Sequence, residues 1–190
     1  MRILTPIKLI LVLGIALLAT QKGNAQKISE GSLFPIYGQE VINCAFDFSD
    51  SEIGGMPFDE FVEWKMGDGR QNRDFDEELD NEIVHCQMIF MEHANEKLKG
   101  TRLAKRLSAK YTLTVKLVTM DMYGRDNTCD YIFTETESGK KIAVIRMDAH
   151  GGRFGSFTNL MGDAFEEAGE NFGKFLNKQL QQIGKNSKKK

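Results

Sequence analysis

The sequence has few of the residues that most readily reveal a function. Its 190 residues include three cysteines, three histidines and one tryptophan. No C-x-x-C spacing joins Cys44, Cys86 and Cys129, and an odd count leaves at least one thiol unpaired or bonded to another chain. The sequence leaves open whether any two of them form a disulfide.

Familiar catalytic and ion-binding motifs are also missing. There is no G-x-S-x-G nucleophile elbow, and the glycine-rich segment 150–156 lacks the lysine and spacing of a phosphate-binding Walker loop. Glu52 stands where an EF-hand calcium loop needs glycine. Asp148 and His150 are two residues apart on one predicted strand, with no nucleophile nearby. We therefore predict that the protein is not an enzyme, and no cofactor is implied.

Long apolar runs are confined to the N-terminus. Arg2 and Lys8 precede the apolar segment 9–19, and Gly23-Asn24-Ala25 is a small-x-small cleavage site, a pattern typical of a secretory signal peptide. Residues 1–25 should be removed by cleavage after Ala25. No later segment approaches the roughly 20 apolar residues of a transmembrane helix. The predicted location is the periplasm or the extracellular space, and the sequence does not distinguish the two.

Charge gives weak evidence about partners. Removing Arg2, Lys8 and Lys22 from the 25 basic residues leaves 22 against 27 acidic residues, a mature net charge of −5. This balance argues against nucleic acid as a partner. Basic residues gather in 97–110 and 185–190, which we interpret as a solvated helix end and a frayed, disordered tail.

The strongest pattern present is a long amphipathic helix over 156–183. At 100° per residue its apolar side chains fall on one side, from Phe157 to Ile183. Gly162, Gly169 and Gly173 lie along one border of this stripe, although each costs roughly 1 kcal/mol relative to alanine in a helix. Close backbone approach by a neighbour would compensate, so these glycines are candidates for an interface.

The remaining patterns predict one α+β domain over 41–184, after a leader over 26–40. Strands are expected at 41–48, 110–122, 131–136 and 141–148, with a bulge near Leu117-Val118 and a hairpin turn at 137–140. Helices are expected from Pro57 to Trp64 and at 75–98. The order β-α-α-β-β-β-α favours a two-layer sandwich: a mostly antiparallel four-stranded sheet with the long C-terminal helix on one face.

Four runs carry a resemblance to known proteins. FDFSDSEIGGMPFDEF, YTLTVKLV, TETESGKKIAVI and GSFTNLMGDAFEEAGENFGKFL together resemble uncharacterised exported proteins of Gram-negative envelopes, filed as domains of unknown function. More distantly, the layout is similar to the small α/β domains of the curli secretion lipoprotein and of the N-terminal part of TolB. The resemblance implies an envelope location and carries over no catalytic residue. The lipid-anchoring cysteine typical of the curli protein is absent.

Two segments are candidate ligand sites. Gly151, Gly152, Arg153 and Gly155 link a strand to the long helix, where backbone N–H groups and the helix dipole can hold an anion. His85, Met88 and Met91 lie in one line of a helix and offer imidazole and thioether ligands suited to copper(I). The more ordinary interpretations are backbone geometry for the glycines and core packing for the methionines.

These patterns lead to one preferred function and one alternative. We predict a non-catalytic exported envelope protein that binds another envelope protein or assembles with itself. The alternative is a periplasmic carrier of a small ligand or a copper-type metal.

Overall fold

The computed structural model describes residues 27–67 and 75–188. The predicted signal peptide, Gly69, the capping residue Asp74 and the last two lysines lie outside them. The helices are α1 (Phe58–Gly67), α2 (Phe75–Lys97) and α3 (Phe157–Ser187), with a short 3₁₀ turn at Phe34–Ile36. The strands are β1 (Lys27–Gly31), β2 (Val41–Asp47), β3 (Glu52–Ile53), β4 (Met56–Pro57), β5 (Arg102–Ala104), β6 (Tyr111–Met120), β7 (Asp126–Glu135) and β8 (Lys141–His150).

The protein has an α+β fold, but the predicted four-stranded, mostly antiparallel sheet is wrong. The described strands form a mixed eight-stranded sheet with the order β1-β8-β7-β6-β2-β5, and β3 joins β4 to the β6 side. The pairs β6–β7, β7–β8 and β8–β1 are antiparallel. Strand β2 instead runs parallel to both β5 and β6, and β3 runs parallel to β6.

The missed strands have a physical explanation in their length. Strands β3, β4 and β5 have two or three residues, too few to show alternation, and β1 reads KISEG, with one apolar side chain. Their backbone pairing comes from neighbouring strands rather than from their own side chains. Strand β2 is parallel to β6 because the chain passes through α1 and α2 before it returns to the sheet.

The predicted hairpin and bulge are confirmed. Glu135 donates its backbone N–H to Lys140 O at 2.9 Å, which closes the turn between β7 and β8. The pairing of β6 with β7 shifts register between Leu117 and Thr119, where the sequence changes the phase of its alternation. Strand β7 begins at Asp126, earlier than predicted, and the turn before it is closed by Gly124 N–H donating to Asp121 O at 3.1 Å.

The core lies between the sheet and two helices on the same side of it. Tyr131 of β7 stacks on Phe172 of α3 with ring centroids 4.4 Å apart and on Phe90 of α2 at 5.9 Å. Helices α2 and α3 run parallel, since Phe75 lies beside Phe157 near the start of both and Ala94 lies beside Gly173 further along. Both helix N-termini therefore lie at one end of the protein.

Helix α3 forms as its amphipathic pattern predicts. Ser156 caps its start by accepting the backbone N–H of Asn159 at 3.3 Å, which satisfies one of the free donors of the first turn. Its apolar stripe is buried from Phe157 to Leu180, and the helix continues to Ser187. Within residues 27–67 and 75–188, no helix combines the length and the hydropathy needed to cross a bilayer.

Candidate interaction surfaces

The N-terminal ends of the helices meet in an aromatic cluster. The ring of Phe61 in α1 lies 5.0 Å from that of Phe157 and 6.3 Å from that of Phe75. Lys65 extends over these rings, with its Nζ 5.7 Å from the Phe157 centroid. Three helices are thus fixed to each other at this end by buried rings.

Two loops complete the same end. Gly124, with φ of +83°, lies so close to Phe157 that a Cβ there would clash with the Phe157 carbonyl oxygen. Gly151 donates its N–H to Arg125 O at 2.6 Å, which places the loop before α3 beside the β6–β7 turn. The backbone approach at Gly124 requires glycine because its positive φ disfavours other residues.

Large apolar side chains are exposed around this cluster. Phe154 is 93% exposed, Tyr123 65%, Trp64 41% and Met122 39%. Single exposed apolar residues are common, but a group of them at one end of a fold is typical of a binding surface. We call Trp64, Met122, Tyr123 and Phe154 the aromatic end.

Exposed acidic side chains lie on the two helices that supply Phe61 and Phe75 to the ring cluster. They come from α1 and from the first turns of α2, and all are exposed: Asp59, Glu60, Glu63, Asp76, Glu77, Glu78 and Asp80. Negative side chains at helix N-termini are stabilised by the helix dipole. We call these seven carboxylates the acidic rim.

The predicted anion loop has acidic neighbours. A Cβ at Gly152 would clash with the Asp163 carboxylate, and His150 donates its backbone N–H to Glu167 Oε2 at 3.2 Å. The side chain of Arg153 is exposed. Ser156 already caps the helix start. Anion binding by Gly151, Gly152, Arg153 and Gly155 therefore remains a prediction, in surroundings that oppose negative charge.

The predicted metal ligands lie on the surface of α2. His85 Nδ1 is 3.0 Å from Glu82 Oε1, Met88 is 59% exposed, and Met91 packs partly against the core. No group of three or more His, Cys, Asp or Glu side chains in the described part of the chain is arranged to hold a metal ion. Copper binding by His85, Met88 and Met91 remains a prediction without further support.

The glycines of α3 contact α2 of the same chain. Gly169 lies against the backbone of Phe90, Gly173 against that of Ala94, and Gly162 against the Glu82 carboxylate. Close backbone approach, the compensation expected from the sequence, is what these contacts provide. The positions proposed for an interface with a second protein face a helix within the fold, so we place no partner there.

Asp148 and His150 of β8 each contact a side chain of β7. His150 Nδ1 lies 3.0 Å from Asp126 Oδ1, while Asp148 accepts the Thr128 hydroxyl at 2.8 Å. The hydrogen bond from His150 holds the pKa of Asp126 below its usual value, with Arg125 contributing. The pair links β7 to β8, and sequence spacing could not show it because the partners are 24 residues apart.

All three cysteines are free and buried in the core. Burial raises the pKa of the Cys44 thiol to about 12, against a smaller lowering by Lys105. Burial also raises the pKa of the Cys86 thiol, and the nearby Glu82 carboxylate raises it further. Burial raises the pKa of the Cys129 thiol in the same way. Neutral, buried thiols behave as small apolar side chains and are poor nucleophiles.

The thiols predict a loss of stability at alkaline pH. An unfolded thiol titrates near 9.0 and the folded Cys44 near 12, so its contribution is complete below pH 9.0 and is lost as the pH rises toward 12. Each thiol should contribute a slope of about 1.4 kcal/mol per pH unit in that window. Urea denaturation at several pH values between 9.0 and 12 measures how the free energy of unfolding falls. Cys44→Ala should have a shallower slope, and an unchanged slope would contradict the assignment.

A basic groove lies at the other end of the helices. It has a volume of about 440 Å³, and its lining includes Tyr37, Lys99, Thr101, Gln181, Lys185 and Lys188. From the sequence, the two basic runs 97–110 and 185–190 are predicted to be separate solvated ends. The parallel arrangement of α2 and α3 brings these two basic runs together. In the sequence, the only indication of the groove is that basic residues cluster in each run.

Comparisons with known proteins give only distant likenesses. No family model and no curated protein matches the chain. A DUF330 protein from Xanthomonas campestris is 10% identical with a TM-score of 0.44, over 84% of this chain and 97% of that chain. The PelC dodecamer from Paraburkholderia phytofirmans is 8% identical with a TM-score of 0.38, over 80% and 96%.

These likenesses are too weak to carry an argument about function. The DUF330 protein is of the uncharacterised kind that the sequence motifs resemble. Neither structure supports the narrower likeness to the curli secretion lipoprotein or to TolB, which remains a prediction.

Proposed function

We propose that the protein is an exported, non-catalytic module of the bacterial envelope that binds another protein through its aromatic end. The exposure of Phe154 and Tyr123 above a rigid, buried ring cluster carries this proposal. Aromatic side chains dominate the binding energy of protein interfaces because they bury large areas with few rotatable bonds. The signal peptide predicted for residues 1–25 supports the location.

The acidic rim defines the chemistry of the partner. Seven exposed carboxylates lie on the α1 and α2 segments that form this end, and the nearby cations among the described residues are Lys65, Arg125 and Arg153. Two copies meeting through this same surface would bring like charges together, which costs free energy. The surface therefore fits a different protein with an apolar patch and basic residues around it.

Site-specific crosslinking tests the proposal. A photo-crosslinking amino acid at position 154 or 123 should capture a recurrent partner in the native envelope fraction, identified by mass spectrometry. The mature protein in that fraction should begin at Gln26. Position 107 is the control, because Leu107 is 84% exposed but lies in the β5–β6 loop.

Truncation of the same side chains should weaken the captured complex. We expect Phe154→Ala and Tyr123→Ala each to raise the Kd for the partner about tenfold or more, a loss of roughly 1.4 kcal/mol. Leu107→Ala should leave it unchanged. Equal capture at all three positions would contradict the proposal, and adducts with a second copy alone would show that the surface binds this chain itself.

A further inference from the structure

The walls of the basic groove come from three separate parts of the chain. Tyr37 follows the 3₁₀ turn, and Lys99 and Thr101 follow α2. Gln181 and Lys185 belong to the last turns of α3, and Lys188 is the residue after it. Thr101 donates its hydroxyl to Gln39 O at 2.7 Å, which ties the second wall to the first. The groove is therefore held by tertiary contacts and is not a chance gap beside a frayed helix.

Gly184 allows Tyr37 to form one wall. The Tyr37 hydroxyl oxygen lies 2.7 Å from the position that a Cβ on Gly184 would occupy, and two ring carbons lie at 3.0 and 3.1 Å. Any side chain at this position would displace the ring. A glycine inside a helix costs about 1 kcal/mol, and here that cost is offset by packing of Tyr37 on α3.

The charge of the groove is not neutralised within the fold. Lys97 pairs with Glu170 at 3.2 Å and Lys174 with the same carboxylate at 2.8 Å. Lys99, Lys185 and Lys188, by contrast, form no ion pair with the described residues, and no described residue lining the groove is acidic. In a protein of negative net charge, three lysines are thus concentrated around one concavity.

Helix dipoles offset only part of this positive charge. The C-termini of α2 and α3 both point toward the groove, and each carries about half a negative charge. Together they offset roughly one of the three lysine charges. The remaining charge of about +2 would neutralise one phosphate group, which carries about −1.5 to −2 at neutral pH.

We propose that this groove binds a phosphate-bearing ligand. The lysines supply the charge, while the hydroxyl of Tyr37 and the amide of Gln181 offer hydrogen bonds to its remaining oxygens. The phosphate comes either from a soluble molecule or from a lipid headgroup at a membrane surface. The site lies at the far end of α3, roughly 45 Å from the aromatic end at 1.5 Å per residue, and is independent of partner binding there.

Two probes separate the two sources. Inorganic pyrophosphate, titrated by calorimetry at low salt, tests a soluble ligand. Vesicles of phosphatidylglycerol, compared with phosphatidylcholine vesicles in a sedimentation assay, test an anionic membrane surface. Binding of either probe that weakens with salt is expected, because lysine contacts with phosphate are electrostatic.

Matched charge variants test the site. Lys99→Gln/Lys185→Gln/Lys188→Gln should lower the affinity for the bound probe at least tenfold. Lys105→Gln/Lys110→Gln/Lys140→Gln removes the same charge from residues that do not line the groove, and should change the affinity less than twofold. All six side chains are exposed, so both proteins should fold, which circular dichroism verifies.

Three outcomes would overturn the proposal. The wild-type protein could bind neither probe, or both triple variants could lose binding equally, as expected for a nonspecific charge effect. Alternatively, the groove variant could dissociate an oligomer without affecting either probe, which would show that the acidic rim of a second copy occupies the groove. None of these outcomes would alter crosslinking at position 154 to a different protein.

Discussion

The double variant Gly169→Ala/Gly173→Ala should lose about 4 kcal/mol of its free energy of unfolding. A Cβ at Gly173 would lie 2.9 Å from Ala94 Cα, and one at Gly169 would lie 3.0 Å from Phe90 Cα. These neighbours are helix backbone and cannot move aside like a flexible side chain. Overpacking of this kind costs up to about 3 kcal/mol per site, of which the helix propensity of alanine returns about 1.

Urea denaturation measures the effect, and Gly67→Ala is the matched control. Gly67 also belongs to a helix, but nothing lies within 4 Å of its Cβ position. This variant should be neutral or up to about 1 kcal/mol more stable. If the double variant kept wild-type stability and lost only its partner, these glycines would form an external interface after all.

Phe172→Ala should cost about 3–5 kcal/mol, the largest effect expected from a single substitution. The Phe172 ring is fully buried and contacts Tyr131 at 4.4 Å, Phe90 at 5.7 Å and Phe133 at 6.2 Å between centroids. Its removal leaves a cavity where α2, α3 and the sheet meet, because the rigid helix contact prevents collapse. Proteins are commonly stable by only 5–15 kcal/mol, so the loss is a large part of the total.

The control for this variant is Phe154→Ala, measured by the same urea titration. Phe154 is 93% exposed, so its truncation should change the free energy of unfolding by less than about 0.5 kcal/mol. Similar losses for the two variants would contradict the assignment of Phe172 to the core. A stable Phe154→Ala protein also ensures that any loss of partner binding reflects the surface and not the fold.

The parallel pair α2 and α3 explains why the two ends of the protein differ chemically. Both helices begin at the aromatic end, where acidic residues in the first turn of α2 complement the positive end of its dipole, and both end near the basic groove. An antiparallel pair would have placed acidic and basic residues at both ends. One arrangement of helices thus separates the surface that we propose for a basic protein from the groove that we propose for an anion.

The sequence by itself determined the elements whose own side chains specify them. The apolar stripe of α3, the alternation of β6 to β8 and the bulge at Leu117 are local patterns, and the structure has all of them. It also indicated the close helix contact, because three glycines in one helix need compensation. Local periodicity suffices where burial of one face decides the structure.

Only the tertiary structure decided which surfaces exist. Strands of two or three residues pair through their backbones, so β3, β4 and β5 left no pattern to read. The basic groove joins Lys99 to Lys185, and the aromatic end joins Trp64 to Phe154, across long separations in sequence. Spacing along a chain cannot show that such distant residues share one surface. Their proximity depends on helix direction and sheet order, which are set by packing of the whole core.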